Sequence, residues 1–356
     1  MHLIADVPVS VFLSAGLDSG ILAALAADVH QGIEGLTLGF DQMQGKPADE
    51  VPGACKVAQH YGVRHHVRYV TQNTFLEHRQ HLLQHMDQPT IDGVNTYFVS
   101  QLARERGYKV ALSGLGGDEL FGGYPSFTQV PELVHQLGFW SQFPRLGLEL
   151  RRVTAPLVKP FVSSKYASLL EFGGSWGGAY LLRRGLFMPW EVADILGSEM
   201  AREGWEKLAS IPKMNALALS LNDPKLLGQE DFLRVSALEM HYYMRTQLLR
   251  DADWAGMAHS VEIRVPFVDM ALLRQTAALR GSAFAPRKPA IGKALPKPLP
   301  DEVLQRKKSG FVVPLREWMM AETGPGAQRG LRAWAVYLYR HFQGQQTSEA
   351  WAHSAV

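Results

Sequence analysis

Two apolar runs, residues 9–13 (VSVFL) and 110–113 (VALS), each pass straight into a turn of small residues, SAGLDS after the first and SGLGGDE after the second. A strand that ends in such a turn and restarts as an amphipathic segment opens a βα unit. A chain that repeats this unit builds a mainly parallel sheet rather than hairpins. Strand patterns at residues 36–40 and 66–70, with helical patterns at 21–27, 49–61, 75–86 and 96–106, complete four such repeats. Pro52 falls early enough in the 49–61 segment to be tolerated in a first turn, and Gly62 supplies a stop. The expected fold is α/β, an open and mainly parallel sheet with helices on both faces, over residues 1–128. From 129 to 356 Leu, Ala, Trp and Met recur at helical spacing, and alternating strands fade. A mainly helical part is therefore expected to pack on the core and complete its site, with a loop or broken helix at 285–300.

The composition narrows the possible functions. With 46% apolar residues in 356, the chain can bury a substantial core. Lys and Arg number 36 against 34 Asp and Glu, a net charge of +2, which provides no broad field for nucleic acid or an anionic membrane. Any phosphate site must be local. A single cysteine, Cys55, excludes an internal disulfide framework and any multi-thiolate metal centre, and it suits a reducing compartment. No basic leader with an apolar core and no membrane-length apolar run is present, so a cytoplasmic protein is expected. His78, His81 and His85 share a helical spacing, but without a further ligand they read as a polar stripe rather than a zinc site.

The turns carry the chemistry. In SAGLDS, small residues let backbone N–H groups converge on an anion, Ser14 and Ser19 add hydroxyls, and the following helix presents the positive end of its dipole. Asp18 would repel bare phosphate, whereas a bridging Mg²⁺ turns that repulsion into coordination. The same residues also suit a plain βα turn with a capping serine, and this segment alone leaves both readings open. In the second turn Ser113 and Gly114 offer space and polar atoms to a nucleotide, and Asp118 can complete a metal site with Asp18. Asp118 can equally begin a helix. Two such turns at strand ends match the place where open α/β sheets bind ligands.

Together with these turns, VEIRVPFVD (261–269) and RKKSGFVVP (306–314) complete four blocks in an order that resembles the class B asparagine synthase family, in its C-terminal PP-loop ATP-pyrophosphatase synthetase domain. The resemblance implies an adenine-nucleotide α-hydrolase-like fold with ATP and Mg²⁺ as cofactors. It further implies adenylation of the aspartate side-chain carboxylate with release of pyrophosphate, then attack by ammonia to give asparagine and AMP. It assigns Ser14, Gly16, Asp18 and Ser19 to pyrophosphate, with Leu17 among the ATP-binding residues, Asp18 and Asp118 to the metal, and Leu13, Leu38, Ser113 and Gly114 to the adenosine part. Counting back from Leu299-Pro300 puts the family's catalytic lysine on Lys288, with Lys293 the alternative. Glu119, Glu262, Arg264 and Lys308 form a second tier; Glu262, Arg264 and Asp269 suit a structural brace, and Arg306 to Lys308 could reach the phosphates.

Some positions depart from the family pattern. Ala15 replaces a usual glycine and Gly20 a usual serine, while Leu115 stands where a carboxylate is usual, so a different carboxylate substrate is a second reading. A related PP-loop amidotransferase, a lactam-forming synthetase and a catalytically silent nucleotide-binding subunit remain alternatives. Position two is His2 rather than the nucleophilic cysteine of the family's glutaminase domain, so that domain is expected to be missing from this chain and ammonia to come from elsewhere. A homodimer is left open.

Overall fold

The computed structural model describes residues 2–158, 164–221, 229–282, 285–306, 313–319 and 330–354. Strands β1 (Val9–Phe12), β2 (Glu34–Phe40), β3 (Arg64–Val70), β4 (Val110–Leu112) and β5 (Glu262–Arg264) form one sheet in the order β3-β2-β1-β4-β5. Every neighbouring pair is parallel. Between them run α1 (Leu17–Val29), α2 (Val51–Tyr61), α3 (Gln72–His85) and α4 (Val94–Glu105), and α5 (Gly117–Phe121) follows β4.

Alternation along β2 shows why both faces must be covered. Leu36, Leu38 and Phe40 enter an apolar cluster with Phe75 of α3 and Tyr97 and Phe98 of α4. Gly39, on the opposite face, leaves room for Val51 of α2, whose side chain lies 2.9 Å from where a Cβ would stand. A strand buried on both sides reads as a continuous apolar run, as parallel sheets require. Helix α2 ends at Gly62, whose φ of 68° is the left-handed conformation expected of a helix stop. Helix α3 begins at Thr71, whose hydroxyl accepts from the Thr74 N–H at 3.1 Å.

The C-terminal half is mainly helical, as expected, and within it VEIRVPFVD supplies β5, which pairs with β4 through Val110 and Glu262. Three residues are too few to show a period of two. The chain divides into two compact units otherwise than at residue 128. One unit comprises Met1–Phe121, Tyr243–Gln275 and Pro286–Val356, and the other Gly122–Tyr242 and Thr276–Ala285. Sheet pairing is the physical reason: a segment that contributes β5 belongs with the sheet, however far away it is in sequence.

The second unit is helical, with helices such as Ser126–Leu137, Trp176–Arg184 and Glu230–Leu238 around Val130, Tyr180, Met188 and Leu238. Among its described residues, Glu239 is a fully buried carboxylate that receives bonds from Tyr180 and Arg184 Nε at 3.0 Å and from the Ser126 hydroxyl. No helix among the described residues is long and apolar enough to cross a membrane.

Candidate active site

The strand order reverses direction at β1, with β2 on one side and β4 on the other, and the two small-residue turns leave the carboxyl ends of β1 and β4. An open parallel sheet forms its ligand crevice at such a switch point. Leu13 continues the ladder past β1 by donating its N–H to Leu36 O at 2.9 Å, and its carbonyl accepts from the Thr37 hydroxyl at 2.6 Å. Leu38 lies beyond the last β1 partner and lines a small cavity with Met43, Asp49 and Glu50.

The first turn is closed by its own hydroxyls. Ser14 N–H donates to Ser19 Oγ at 3.0 Å, the two serine oxygens are 2.8 Å apart, and Gly16 N–H donates to Ser14 Oγ at 3.1 Å. Gly16 is the extended residue that starts α1, and no side chain caps that helix. The serines thus fold the turn rather than cap it. Leu17, Asp18 and Ser19 provide first-turn N–H groups, which have no acceptor within a helix.

The second turn approaches the first through its glycines. A Cβ on Gly114 would stand 3.0 Å from the Asp18 Cβ and from the Ser19 nitrogen, and one on Gly117 only 2.4 Å from Asp18 Oδ1. Larger residues would push the strands' loops apart. Gly116 adopts a φ of +90°, which turns the chain into α5, where Asp118 sits in the first turn.

Lys288 joins the two aspartates. Its ammonium lies 2.6 Å from Asp18 Oδ2 and also bonds Asp118 Oδ1, at the start of the short helix Lys288–Lys293. The lysine is 6% exposed, so the three charges interact away from bulk water. Lys293 is exposed at the other end of that helix and is not brought to the aspartates. Glu119 is fully buried on α5. Glu262 and Arg264 pair at 2.8 Å, Arg264 also donates to the carbonyls of His2 and Ile4 at 2.8 Å, and Asp269 bonds His2 at 3.0 Å. They hold the N-terminal segment against the sheet edge. Lys308, with Lys307, Gly310 and Phe311, lies outside the described residues. His81 pairs with Tyr97 at 2.6 Å and His78 with Gln101 at 3.3 Å.

Asp18 and Asp118 both reach the Lys288 ammonium, so their carboxylates stand near enough to each other to share a hard divalent ion, whereas no group of three or more His, Cys, Asp or Glu among the described residues is placed to hold a metal. Two protein oxygens completed by substrate phosphate are a usual magnesium arrangement, so the residues fit.

Sequence reading missed Glu50, whose carboxylate accepts the Ala15 N–H at 2.7 Å, and it placed Arg306 differently. Arg306 lies 3.3 Å from Glu50 and donates to the carbonyls of Pro47 and Asp49 at 3.2 Å. Nothing local marks Glu50, since an acidic residue before a helix is commonplace. The departure at Ala15 is accommodated in the same place: Gly53 on α2 faces its methyl, and a Cβ there would stand 2.3 Å from it.

The family model described as asparagine synthase matches residues 1–355. A Mycobacterium tuberculosis protein named "putative asparagine synthetase (glutamine-hydrolyzing)" is 30% identical over 341 residues, covering 90% of this chain and 47% of its own length. Glutamine-hydrolyzing asparagine synthetase 1 of Bacillus subtilis is 28% identical over 333 residues, covering 90% of this chain and 49% of its own. Asparagine synthetase B of Escherichia coli is 32% identical over 143 residues, 36% of this chain and 26% of its own length. The chain thus spans about half the length of the first two relatives. With both small-residue turns at adjoining strand ends and a family match along nearly its whole length, this chain belongs to the asparagine synthase family.

Proposed function

We propose that this chain is an ATP-dependent ligase of the C–N bond-forming class, which adenylates a carboxylate, aspartate in the first instance, and passes it to ammonia. The observation that carries this reading is the meeting of Asp18, Asp118 and Lys288 at the ends of β1 and β4. Their formal charges sum to −1, which by itself disfavours a polyanionic nucleotide. A divalent ion held by Asp18 and Asp118 reverses that balance and, when bound, supplies Lewis-acid neutralisation of the phosphate oxygens.

The roles of the protein groups follow. The first-turn N–H groups of α1, with Ser14, Gly16 and Ser19, bind the pyrophosphate part of ATP, and Ser113, Gly114 and the strand ends at Leu13 and Leu38 border the adenosine part. Lys288 places a fixed positive charge where negative charge grows as pyrophosphate departs. In the first step a substrate carboxylate oxygen bonds to the α-phosphorus as the bond to pyrophosphate breaks. In the second, ammonia attacks the acyl carbon, gives up a proton, and AMP leaves. We assign the ammonia to glutamine hydrolysis, the activity in the relatives' names.

The test is pyrophosphate release from MgATP by the purified chain with aspartate and an ammonium salt. Formation of asparagine and AMP in equal amounts supports the proposal; no release with any amino acid supplied sinks it. A second reading has one observation in its favour. Leu115 puts a half-buried apolar side chain in the second turn, and a panel of other carboxylates replacing aspartate separates the two.

A further inference from the structure

The first turn is held from behind by a carboxylate. Ala15 N–H points to Glu50 Oε2 at 2.7 Å, and Glu50 stands directly before α2 with 8% of its surface exposed. Of three consecutive N–H groups in the turn, those of Ser14 and Gly16 are taken by serine hydroxyls and that of Ala15 by Glu50. An anionic side chain this close to a phosphate-binding turn is electrostatically costly unless it is offset. Arg306 provides the offset. Its guanidinium lies 3.3 Å from the other Glu50 oxygen and clasps the carbonyls of Pro47 and Asp49, so the β2–α2 connection is tied to the first residue of the RKKSGFVVP block. The backbones also approach, because Gly53, in the first turn of α2, leaves room for the Ala15 methyl.

We propose that Glu50 is a positioning residue for the pyrophosphate turn, and that Arg306 makes this possible by neutralising it and tethering the fourth sequence block to the same point. The inference rests on the reading of SAGLDS as a pyrophosphate site. Glu50 touches no substrate in this scheme; it sets the direction of the Ala15 peptide and hence the curvature of the turn. Losing it should weaken binding of the pyrophosphate part and leave the nucleoside part alone.

The experiment compares wild type with Glu50→Ala, Glu50→Gln and Arg306→Ala in the full chain, after thermal melts establish folding. Two ligands are titrated by calorimetry in the presence of Mg²⁺: inorganic pyrophosphate and AMP. Loss of a hydrogen bond to a charged group predicts at least about tenfold weaker pyrophosphate binding for Glu50→Ala, with AMP affinity within about twofold. Glu50→Gln keeps an acceptor for Ala15 and should recover much of the loss, which a purely structural role would not produce. Arg306→Ala should weaken pyrophosphate binding in wild type but much less in the Glu50→Gln background, because the charge it offsets is gone. Equal weakening of both ligands, or unchanged pyrophosphate binding in a folded Glu50→Ala chain, overturns the inference. Failure of wild type itself to bind pyrophosphate overturns the underlying reading instead, so the two failures are distinguishable.

Discussion

Lys288 sets its ammonium 2.6 Å from the Asp18 carboxylate across 270 residues of sequence, and the same nitrogen bonds Asp118. A cation is therefore built into the place where two acidic groups meet, and its removal has two consequences. Lys288→Met should lower pyrophosphate release by at least about a hundredfold, in keeping with loss of a preorganised charge. It should also lower the melting temperature, because the carboxylates then face each other without the ammonium. Mg²⁺ should restore more of that temperature in the variant than it adds to wild type. Identical Mg²⁺ responses would show that the aspartates do not share an ion position.

Gly117 is required by proximity rather than by backbone conformation. An added methyl would meet Asp18 Oδ1 at 2.4 Å, well inside contact distance. Gly117→Ala should raise the KM for MgATP by about tenfold or more, the cost of displacing one charged contact, while far-ultraviolet circular dichroism stays unchanged. An unaltered KM would mean that the second turn can move away from Asp18 without consequence.

Asp251 makes stability depend on pH. Burial above all, helped by Asp92 and Asp87, pushes its carboxyl up from 3.8 to about 7, against the bonds from Trp254 and Thr90 that favour the anion. The unfolded chain ionises this group near its ordinary value, so between about pH 4 and pH 7 the folded state binds more protons. The stability it contributes at low pH is accordingly lost as pH rises. Asp251→Asn should be more stable than wild type at pH 8 by on the order of 2 kcal/mol, with the difference vanishing near pH 4. Urea unfolding at several pH values measures it; a difference independent of pH contradicts the assignment.

Glu239 should anchor the helical unit. It is fully buried and bonded by Tyr180 and Arg184, so Glu239→Ala takes its carboxylate partner from a largely buried guanidinium. The expected loss is about 3–5 kcal/mol in denaturant unfolding. A loss below about 1 kcal/mol, the size of an exposed ion pair, would show that Arg184 finds water instead.

Much of this was legible in the residues. The βα repeats, the stop at Gly62 and both small-residue turns follow from patterns a few residues long, because strand alternation, helix caps and turn conformations are local physics. So does the presence of an acidic residue in each turn.

What the sequence by itself determined is the βα order and the chemical character of the two turns. Only the tertiary structure decided which distant groups complete them. β5 is three residues that become a strand because β4 offers an edge, the Lys288 ammonium bonds both aspartates at once, and Arg306 turns to Glu50. The physical reason is the same in each case. A charge or a backbone hydrogen-bonding group finds its partner through the packing of elements far apart in sequence, and no local pattern records that distance.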